Sequence, residues 1–426
     1  MEIQSITKTN FKGYDARTLK GFLMSSNCRN IASEMNMIGQ KEGFKIFTIR
    51  DGQLKEGLPK YSDNTVGLWA QDFWTIVKKK LLALEYDKKF YAIKNGLGLR
   101  FDFTEKISHE TDKIRELNQN LWDIFDEMGF NNDRGRTKSE ITSDFESKKL
   151  ELLKQQKNAH IPGGNVFIVK SDKVDEIIVG ANELEKFAPE EILAMYSCDK
   201  MTILPQMDYH LDLFIRPLDK KRVLVADDRK TLDVLKDGFQ KLHNFILTLP
   251  AEERTKYRNA YTTFGSKILN FQKIINSNQL PNAEEISNDL RRAGYKPISV
   301  PGRIYQILEG ADNEQCLQHF CNYINANVFK NKKNEIIYIT NKSNIDSMLG
   351  LTEELSEQIG FSFEKSFIDS ISKYVKPNKV YFIKGDDNFV ANEMLTTYQG
   401  GIHCTCTEIP RGLKIKNDKN SRNRGK

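Results

Sequence analysis

The chain has 426 residues, of which 39% are apolar and 29% charged. This length is enough to bury a sizeable core, and no apolar run approaches the ~20 residues that a membrane helix needs, so we expect a soluble globular protein with no membrane contact. The formal charge of +6 comes from residues 411–426, because residues 1–410 carry 57 charges of each sign. A neutral body with a short basic tail does not predict nucleic-acid binding, and we expect the tail to be disordered.

The amino terminus and the cysteines indicate in which cellular compartment the protein is located. The opening residues, MEIQSITKTNFKGYD, have no apolar segment behind a basic one, which argues against a classical secretory signal. Six cysteines are thinly spread over the chain, unlike the dense disulfide framework of a small secreted domain. We therefore expect reduced thiols and a cytoplasmic location, with non-classical export left open.

Short β-branched and aromatic runs alternate with amphipathic segments along the chain. The predicted strands fall at residues 44–52, 163–172, 175–181, 200–206, 209–218, 221–228, 296–302, 335–340 and 380–387. The predicted helices fall at residues 183–196, 231–249 and 366–375. This alternation of strands and helices predicts an α/β or α+β protein.

Two long segments interrupt this alternation. Residues from about 75 to 160 and from about 250 to 292 are highly charged and almost free of glycine and proline, and their middles contain no good strand candidate. We expect both to be helical insertions.

His210 and Asp212 form an H-x-D pair in the segment MDYHLDLFIRPL. If that segment is a strand, alternation places both side chains on one face, where they could share a pocket as acid/base and cation binder. Such a pair taken alone is more often structural than catalytic. The histidines with helical, charged surroundings are expected at the surface or the core edge; these are His109, His243 and His319.

Cys404 follows two glycines in the segment YQGGIHCTC. Glycines allow a tight turn or a close approach to a ligand, so the thiol could lie at the floor of a pocket. A buried free cysteine or a metal ligand would also explain it. A metal site is disfavoured because Cys316 and Cys321, placed in a predicted helix, do not supply a second pair of ligands at suitable spacing.

Asp72 lies among aromatic residues in the segment GLWAQDFWTIV. A carboxylate framed by Trp69 and its aromatic neighbours suits a planar cation, which it can bind with two hydrogen bonds while a ring packs on the ligand. An aspartate that caps a following helix is the simpler interpretation of this segment alone. The glycines of HIPGGNVFI, residues 160–168, indicate first of all a turn before a strand.

Taken in order, four strings resemble the guanidine-modifying superfamily. They are WAQD at 69–72, GGN at 163–165, HLD at 210–212 and GGIHC at 400–404. The pattern is most similar to agmatine and peptidylarginine deiminases. The resemblance implies a five-bladed α/β propeller, the pentein fold, and a single catalytic domain over residues 1–410 that includes the helical insertions.

The resemblance also implies roles for individual residues. Cys404 would attack the guanidinium carbon, and His210 would protonate the departing amine and then activate water. Asp72 and Asp212 would clamp the guanidinium nitrogens. His403 is expected to point away from the site if its segment is extended, and receives no chemical role. The substrate-binding residues would be Trp69, Gly164, Asn165 and Gly401.

The expected reaction is hydrolysis of a guanidinium group to a ureido group and ammonia, with no cofactor and no metal. The substrate would be agmatine-like, free arginine or an arginine side chain of a protein. Two alternatives stay open: an amidinotransferase that uses the same covalent intermediate, and a non-catalytic binding or effector protein on the same scaffold. The insertion between Asp72 and Gly163 matches no part of the superfamily's pattern, and the sequence does not determine the oligomeric state.

Overall fold

The same three-stranded sheet recurs along the chain. The computed structural model describes residues 19–25, 28–49, 74–77, 80–83, 91–92, 137, 139–144, 147, 163–170, 175–185, 187–196, 198–277, 281–309, 315–386, 389–390 and 400–410. Within these residues, four sheets consist of an antiparallel pair followed by a strand that is parallel to the middle one. Helical segments connect the two parallel strands in each case, as a parallel crossover requires. We refer to each such sheet with its helices as a ββαβ unit.

The strands are numbered along the described parts of the chain. They are β1 (Leu19–Ser25), β2 (Lys45–Ile49), β3 (Trp74–Val77), β4 (Lys80–Ala83), β5 (Tyr91–Ala92), β6 (Val166–Lys170), β7 (Asp175–Gly180), β8 (Lys200–Leu204), β9 (Ile215–Pro217), β10 (Arg222–Ala226), β11 (Lys296–Val300), β12 (Arg303–Glu309), β13 (Gln315–Asn322), β14 (Asn327–Lys330), β15 (Ile336–Asn341), β16 (Val380–Ile383), β17 (Gly385–Asp386), β18 (Phe389–Val390) and β19 (Cys406–Pro410).

The helices that cross over between parallel strands differ in number from one unit to the next. They are α1 (Arg29–Glu42), α2 (Pro189–Tyr196), α3 (Asp228–Thr248), α4 (Ala251–Arg254), α5 (Arg258–Asn276), α6 (Ala283–Arg292), α7 (Ile345–Met348), α8 (Glu353–Ile359) and α9 (Phe363–Ile371). Among the residues described, no helix has both the length and the apolar character needed to cross a membrane.

The four ββαβ units draw on different parts of the chain. Their strand orders are β19-β1-β2, β6-β7-β8, β9-β10-β11 and β14-β15-β16. The first unit pairs the two ends of the described chain, with β1 antiparallel to β19 and Met24 opposite Cys406. The α/β class predicted from the sequence is confirmed, and the protein is a mixed α/β structure built from several small sheets.

The segment predicted to be helical from about residue 75 to 160 begins with strands instead. The antiparallel sheet β3-β4-β5 pairs Trp74 with Ala83 and Leu82 with Ala92. The β-branched run Thr75-Ile76-Val77 explains the difference, because such residues favour extended backbone. Helical residues occur at 139–144. From 250 to 292 the described residues are mostly helical, in α4, α5 and α6.

The core lies between the sheets and their crossover helices. Helix α5 is an example of such a helix. Its buried residues recur every three or four positions, as expected for a helix with one apolar face. These residues are Ala260, Phe264, Ile268 and Phe271. Most of the core residues from β9 to β16 belong to one continuous cluster with this helix. A second cluster packs α1 against β14, β15 and the carboxyl-terminal turn and strand.

A buried carboxylate fastens the first unit to the fourth. Glu42, at the end of α1, accepts hydrogen bonds from Lys379 Nζ at 2.8 Å, Asn331 Nδ2 at 2.9 Å and Tyr381 Oη at 2.5 Å. The Glu42 side chain is 1% exposed and that of Lys379 is 14% exposed. A buried charge is tolerated only when it is paired and hydrogen-bonded, so these contacts depend on one another.

Replacing Glu42 with alanine should lower the free energy of unfolding by about 3 kcal/mol, because Lys379 then keeps a largely buried charge without its main partner. Urea denaturation measures this. The matched control is Lys376→Ala, which removes an ion pair from a side chain that is 68% exposed and should have little effect. Equal losses of unfolding free energy in the two variants would contradict the stabilising role given to Glu42.

The Glu42 contribution should also depend on pH. Burial raises the pKa of Glu42. The hydrogen bonds from Lys379, Tyr381 and Asn331 outweigh this effect and bring the pKa below its ordinary value of 4.5. The folded state therefore favours the ionised form, so the stabilisation is complete above pH 4.5 and is lost as the pH falls below that value. The difference in unfolding free energy between wild type and Glu42→Ala should shrink on acidification; a difference that grows would refute this.

Candidate active site

His210 and Asp212 lie in a turn, not on the strand that the sequence predicted. His210 is extended, but Leu211–Leu213 form a single 3-10 turn, in which Phe214 N donates to Leu211 O at 3.0 Å. Strand β9 begins only at Ile215. The backbone bonds differ from those of a strand, because Leu211 N donates to Asn165 Oδ1 and Phe214 N to Leu211 O instead of to a neighbouring strand. The alternation argument is therefore wrong for this pair.

Gly164 nevertheless brings the two side chains together. A Cβ atom at this position would lie 2.5 Å from His210 Nδ1 and 3.0 Å from Asp212 Oδ1. Both side chains thus pack against the same glycine, which has room for no side chain of its own. The predicted proximity of His210 and Asp212 holds, although the backbone achieves it by a turn.

Asn165 holds this turn in place. Its Oδ1 accepts a hydrogen bond from Leu211 N at 3.0 Å and one from Gln206 Nε2 at 3.2 Å. Its Nδ2 donates to Glu183 Oε1 at 2.6 Å, and the residue is 3% exposed. The sequence predicted a substrate contact for Asn165, whereas the described contacts are those of a residue that positions the H-x-D turn.

Cys404 lies in a tight turn just before β19. Thr405 N donates to Gly401 O at 3.3 Å and Cys406 N to His403 O at 3.1 Å. Because the backbone turns here, His403 and Cys404 reach the same carboxylate. His403 Nδ1 is 2.7 Å from Asp212 Oδ2, and Cys404 Sγ is 3.4 Å from that oxygen. The expectation that His403 points away from the site is wrong, because it assumed an extended segment.

The environment of these groups is dry. Asp212 is 0% exposed, His403 5% and Cys404 6%. Burial lowers the pKa of His403 well below 6.5, and the positive charge of Arg216 and the neighbouring His210 lower it further. The imidazole of His403 is therefore neutral, so its Nδ1–H donates to Asp212 while the thiol of Cys404 donates to the same oxygen.

The neighbouring thiol of Cys406 is in a different environment. It is 2% exposed, lies 3.8 Å from Met35 Sδ, and belongs to the apolar cluster around α1. Burial raises its pKa to about 12. A buried, protonated thiol is a poor nucleophile, which makes Cys406 a poor candidate for that role.

Arg216 is a buried cation that the sequence did not single out. Its Nη2 lies 3.3 Å from Glu408 Oε1, and its guanidinium carbon lies 5.3 Å from the centre of the Phe167 ring. The same ring stacks on His403 with centroids 5.8 Å apart. Arg216 therefore places a fixed positive charge behind the imidazole, which helps to keep it neutral.

Buried asparagines hold the Cys404 turn. Asn325 Nδ2 donates to Cys404 Sγ at 3.3 Å, and its Oδ1 accepts from His403 N at 2.9 Å. Asn341 Oδ1 accepts from Ile402 N at 3.0 Å, and Asn327 Nδ2 donates to Ile402 O at 3.2 Å. Four asparagines in ten residues, NYINANVFKN, were the signal that could have revealed this network, to which Asn325 and Asn327 belong.

Gly401 is required by these asparagines. A Cβ atom at this position would lie 2.5 Å from Asn325 Oδ1 and 2.5 Å from Asn341 Nδ2. The sequence predicted substrate contact for Gly401, and the structure instead gives a packing reason for the glycine.

A second charged network lies behind the H-x-D turn. His319 Nε2 is 2.7 Å from Asp208 Oδ2, and Asp208 Oδ1 accepts from Tyr209 N at 3.0 Å. Arg303 binds Asp228 with two hydrogen bonds, of 2.9 and 3.0 Å, and its Nη1 lies 3.5 Å from Asp208 Oδ2. The sequence placed His319 near the surface, but it is 0% exposed because residues 315–322 form strand β13 and not a helix.

Two predicted site residues, Asp72 and Trp69, lie outside the described residues. In the part of the chain that the structure describes, no group of three or more His, Cys, Asp and Glu side chains is arranged to hold a metal ion. The described site thus contains a thiol, a carboxylate, two histidines and an asparagine.

Comparison with known proteins gives only a remote likeness. No protein-family model and no curated protein matches the chain. Nineteen chains of solved structures match it. One of them is the agmatine deiminase of C. jejuni, with a TM-score of 0.40 and 10% sequence identity over 95% of this chain and 96% of that chain. A TM-score of this size gives no information about activity.

Replacing Gly164 with alanine should lower the free energy of unfolding by about 1–3 kcal/mol, because the added methyl group overlaps His210 and Asp212. The matched control is Gly265→Ala in α5, where the nearest atoms are those of the Phe239 ring at 3.5 Å. That helical substitution should raise the free energy of unfolding by about 0.5–1 kcal/mol. Urea denaturation compares the two, and a neutral Gly164→Ala would contradict the packing described here.

Proposed function

We propose that this protein is a cysteine-dependent hydrolase of guanidinium groups. The observation that carries the proposal is the contact between the Cys404 thiol and the buried carboxylate of Asp212, 3.4 Å apart. A buried carboxylate attracts a planar cation and can pair with two of its N–H groups. A guanidinium bound in this way brings its carbon close to the sulfur, which is the geometry that nucleophilic attack needs.

The proposed chemistry proceeds in two halves. Cys404 Sγ forms a bond to the guanidinium carbon, and its proton passes by way of His210 to one nitrogen, which leaves as ammonia when the C–N bond breaks. Water then adds to the amidino carbon and gives one proton to His210, which passes it to the sulfur as the C–S bond breaks. The second proton of the water is released to solvent, and the neutral ureido product leaves.

The other polar groups have supporting roles in this proposal. Asp212 keeps the substrate's charge neutralised and its plane oriented, and His403 fixes one oxygen of that carboxylate at 2.7 Å. Asp72 is proposed as the second carboxylate on the guanidinium, with Trp69 packing on its plane. Gly164 and Gly401 leave room for the two turns, and Asn165 positions the first of them.

The proposed fold is a five-bladed α/β propeller of the pentein type. The four ββαβ units support this proposal because they repeat one topology around a chain whose ends pair with each other. The sheet β3-β4-β5 would take the fifth position. In such an arrangement the loops at one end of the blades converge on a central site.

Ammonia and ureido product should be measured with free arginine, agmatine and an arginine-containing peptide. Activity with at least one of them is expected, and Cys404→Ser should lower kcat by about a thousandfold or more because the nucleophile is lost. Cys198→Ser, in a different unit, serves as the matched control and should retain activity. Adding an amine acceptor separates hydrolysis from amidino transfer, since ammonia leaves before the intermediate is resolved in both cases and transfer forms a substituted guanidine in place of the ureido product.

Equal activity in Cys404→Ser and wild type would refute the proposal, and so would no turnover of any guanidino compound tested. Labelling with a haloacetamidine gives an independent reading, because the reagent carries the substrate's head group. The label should be found on Cys404 and not on Cys406, and Asp212→Asn should slow its incorporation because the reagent's cationic head group loses its counter-charge.

A further inference from the structure

We propose that Asn325 is a catalytic residue that stabilises the thiolate of Cys404. Its Nδ2 lies 3.3 Å from Cys404 Sγ, and both residues are buried, with Asn325 0% exposed and Cys404 6% exposed. Water has little access to this sulfur, so a protein donor must do what solvation does for a thiolate in solution. The inference rests on the proposed function only in taking Cys404 as the nucleophile.

The orientation of the Asn325 amide follows from its second contact. The oxygen Oδ1 accepts a hydrogen bond from His403 N at 2.9 Å, and only the oxygen end of the amide can accept. The nitrogen end must then face the sulfur. The backbone of Asn325 is held as well, because its N donates to Asn322 Oδ1 at 3.1 Å and its O accepts from Thr340 Oγ1 at 3.3 Å.

A donor is needed because of the charges that face Cys404. Asp212 is the nearest, and its negative charge opposes formation of a thiolate 3.4 Å away. His403 is neutral and bound to the same carboxylate, while Arg216 packs on the Phe167 ring and pairs with Glu408. His210 packs against Gly164, as does Oδ1 of the carboxylate. Asn325 thus provides the described N–H donor on the sulfur itself.

Holding the turn does not by itself explain this asparagine. Asn341 and Asn327 already fix Ile402 through its backbone N and O. The amide Oδ1 of Asn325 adds one more bond to the turn, but its Nδ2 donates to Sγ and to no backbone acceptor among the described residues. The two ends of the amide therefore have separate roles, which substitutions can separate.

The test is a titration of the Cys404 thiol by thiolate ultraviolet absorbance, taken as the difference between each protein and its Cys404→Ser counterpart. Asn325→Asp keeps the oxygen that binds His403 N and removes the donor, and Asn325→Ala removes both. Asn325→Ala should raise the pKa of Cys404 by about one to two pKa units, the value of a hydrogen bond to a charged group. Asn325→Asp should raise it by more, because it also places a negative charge beside the sulfur. Alkylation of Cys404 by iodoacetamide at neutral pH should slow by about ten- to a hundredfold.

Asn327→Ala is the matched control, because it removes a hydrogen bond to the same turn without touching the Cys404 sulfur. Its Cys404 pKa should equal that of wild type. An unchanged pKa in both Asn325 variants, or an equal rise in Asn327→Ala, would overturn the proposal. The titration needs no substrate, so it decides the role of Asn325 even if no guanidino compound is turned over, and the Cys404→Ser assay decides the proposed function separately.

Discussion

The buried carboxylate of Asp212 joins two turns that are 191 residues apart in the sequence. Removing a charge from water costs several kcal/mol unless hydrogen bonds replace the lost solvation. His403 and Cys404 supply part of that replacement from the carboxyl-terminal turn, and both turns must be in place before either contact can form. The contact at Asp212 depends on residues that shape and hold the two turns. These are Gly164, Asn165, Gly401 and the buried asparagines.

The two turns are supported in different ways. The turn that carries Asp212 rests on side chains from neighbouring strands and on the ion network of Asp208, His319 and Arg303. The turn that carries Cys404 rests almost entirely on neutral amides. A neutral support is appropriate there, because an additional full charge next to the sulfur would shift its ionisation far more than an amide does.

Much of the architecture could be read from the sequence, since the β-branched runs that become β6, β7, β10 and β15 are short, strongly patterned and bounded by turn residues. Cys404, His210, Asp212 and Gly164 could be selected because their residue types and order carry a chemical pattern. His403 and Asn325 could not, because their contribution depends on the direction of a backbone turn and on a contact across 79 residues. Periodicity also failed at residues 209–218, where the 3-10 turn Leu211–Leu213 precedes the strand, and at residues 315–322, which form strand β13.

The pairing of β1 with β19 places Cys404 just before a strand whose partner lies near the other end of the described chain. Strand β19 can add to β1 only after all the residues between them have been synthesised, and the Cys404 turn directly precedes that strand. A growing chain therefore has an incomplete site until β19 has been made, and the Cys404 thiol gains its partners only after that. Contacts between such distant segments form slowly, so maturation of the site rather than collapse of the core should set the time at which a newly made molecule becomes reactive.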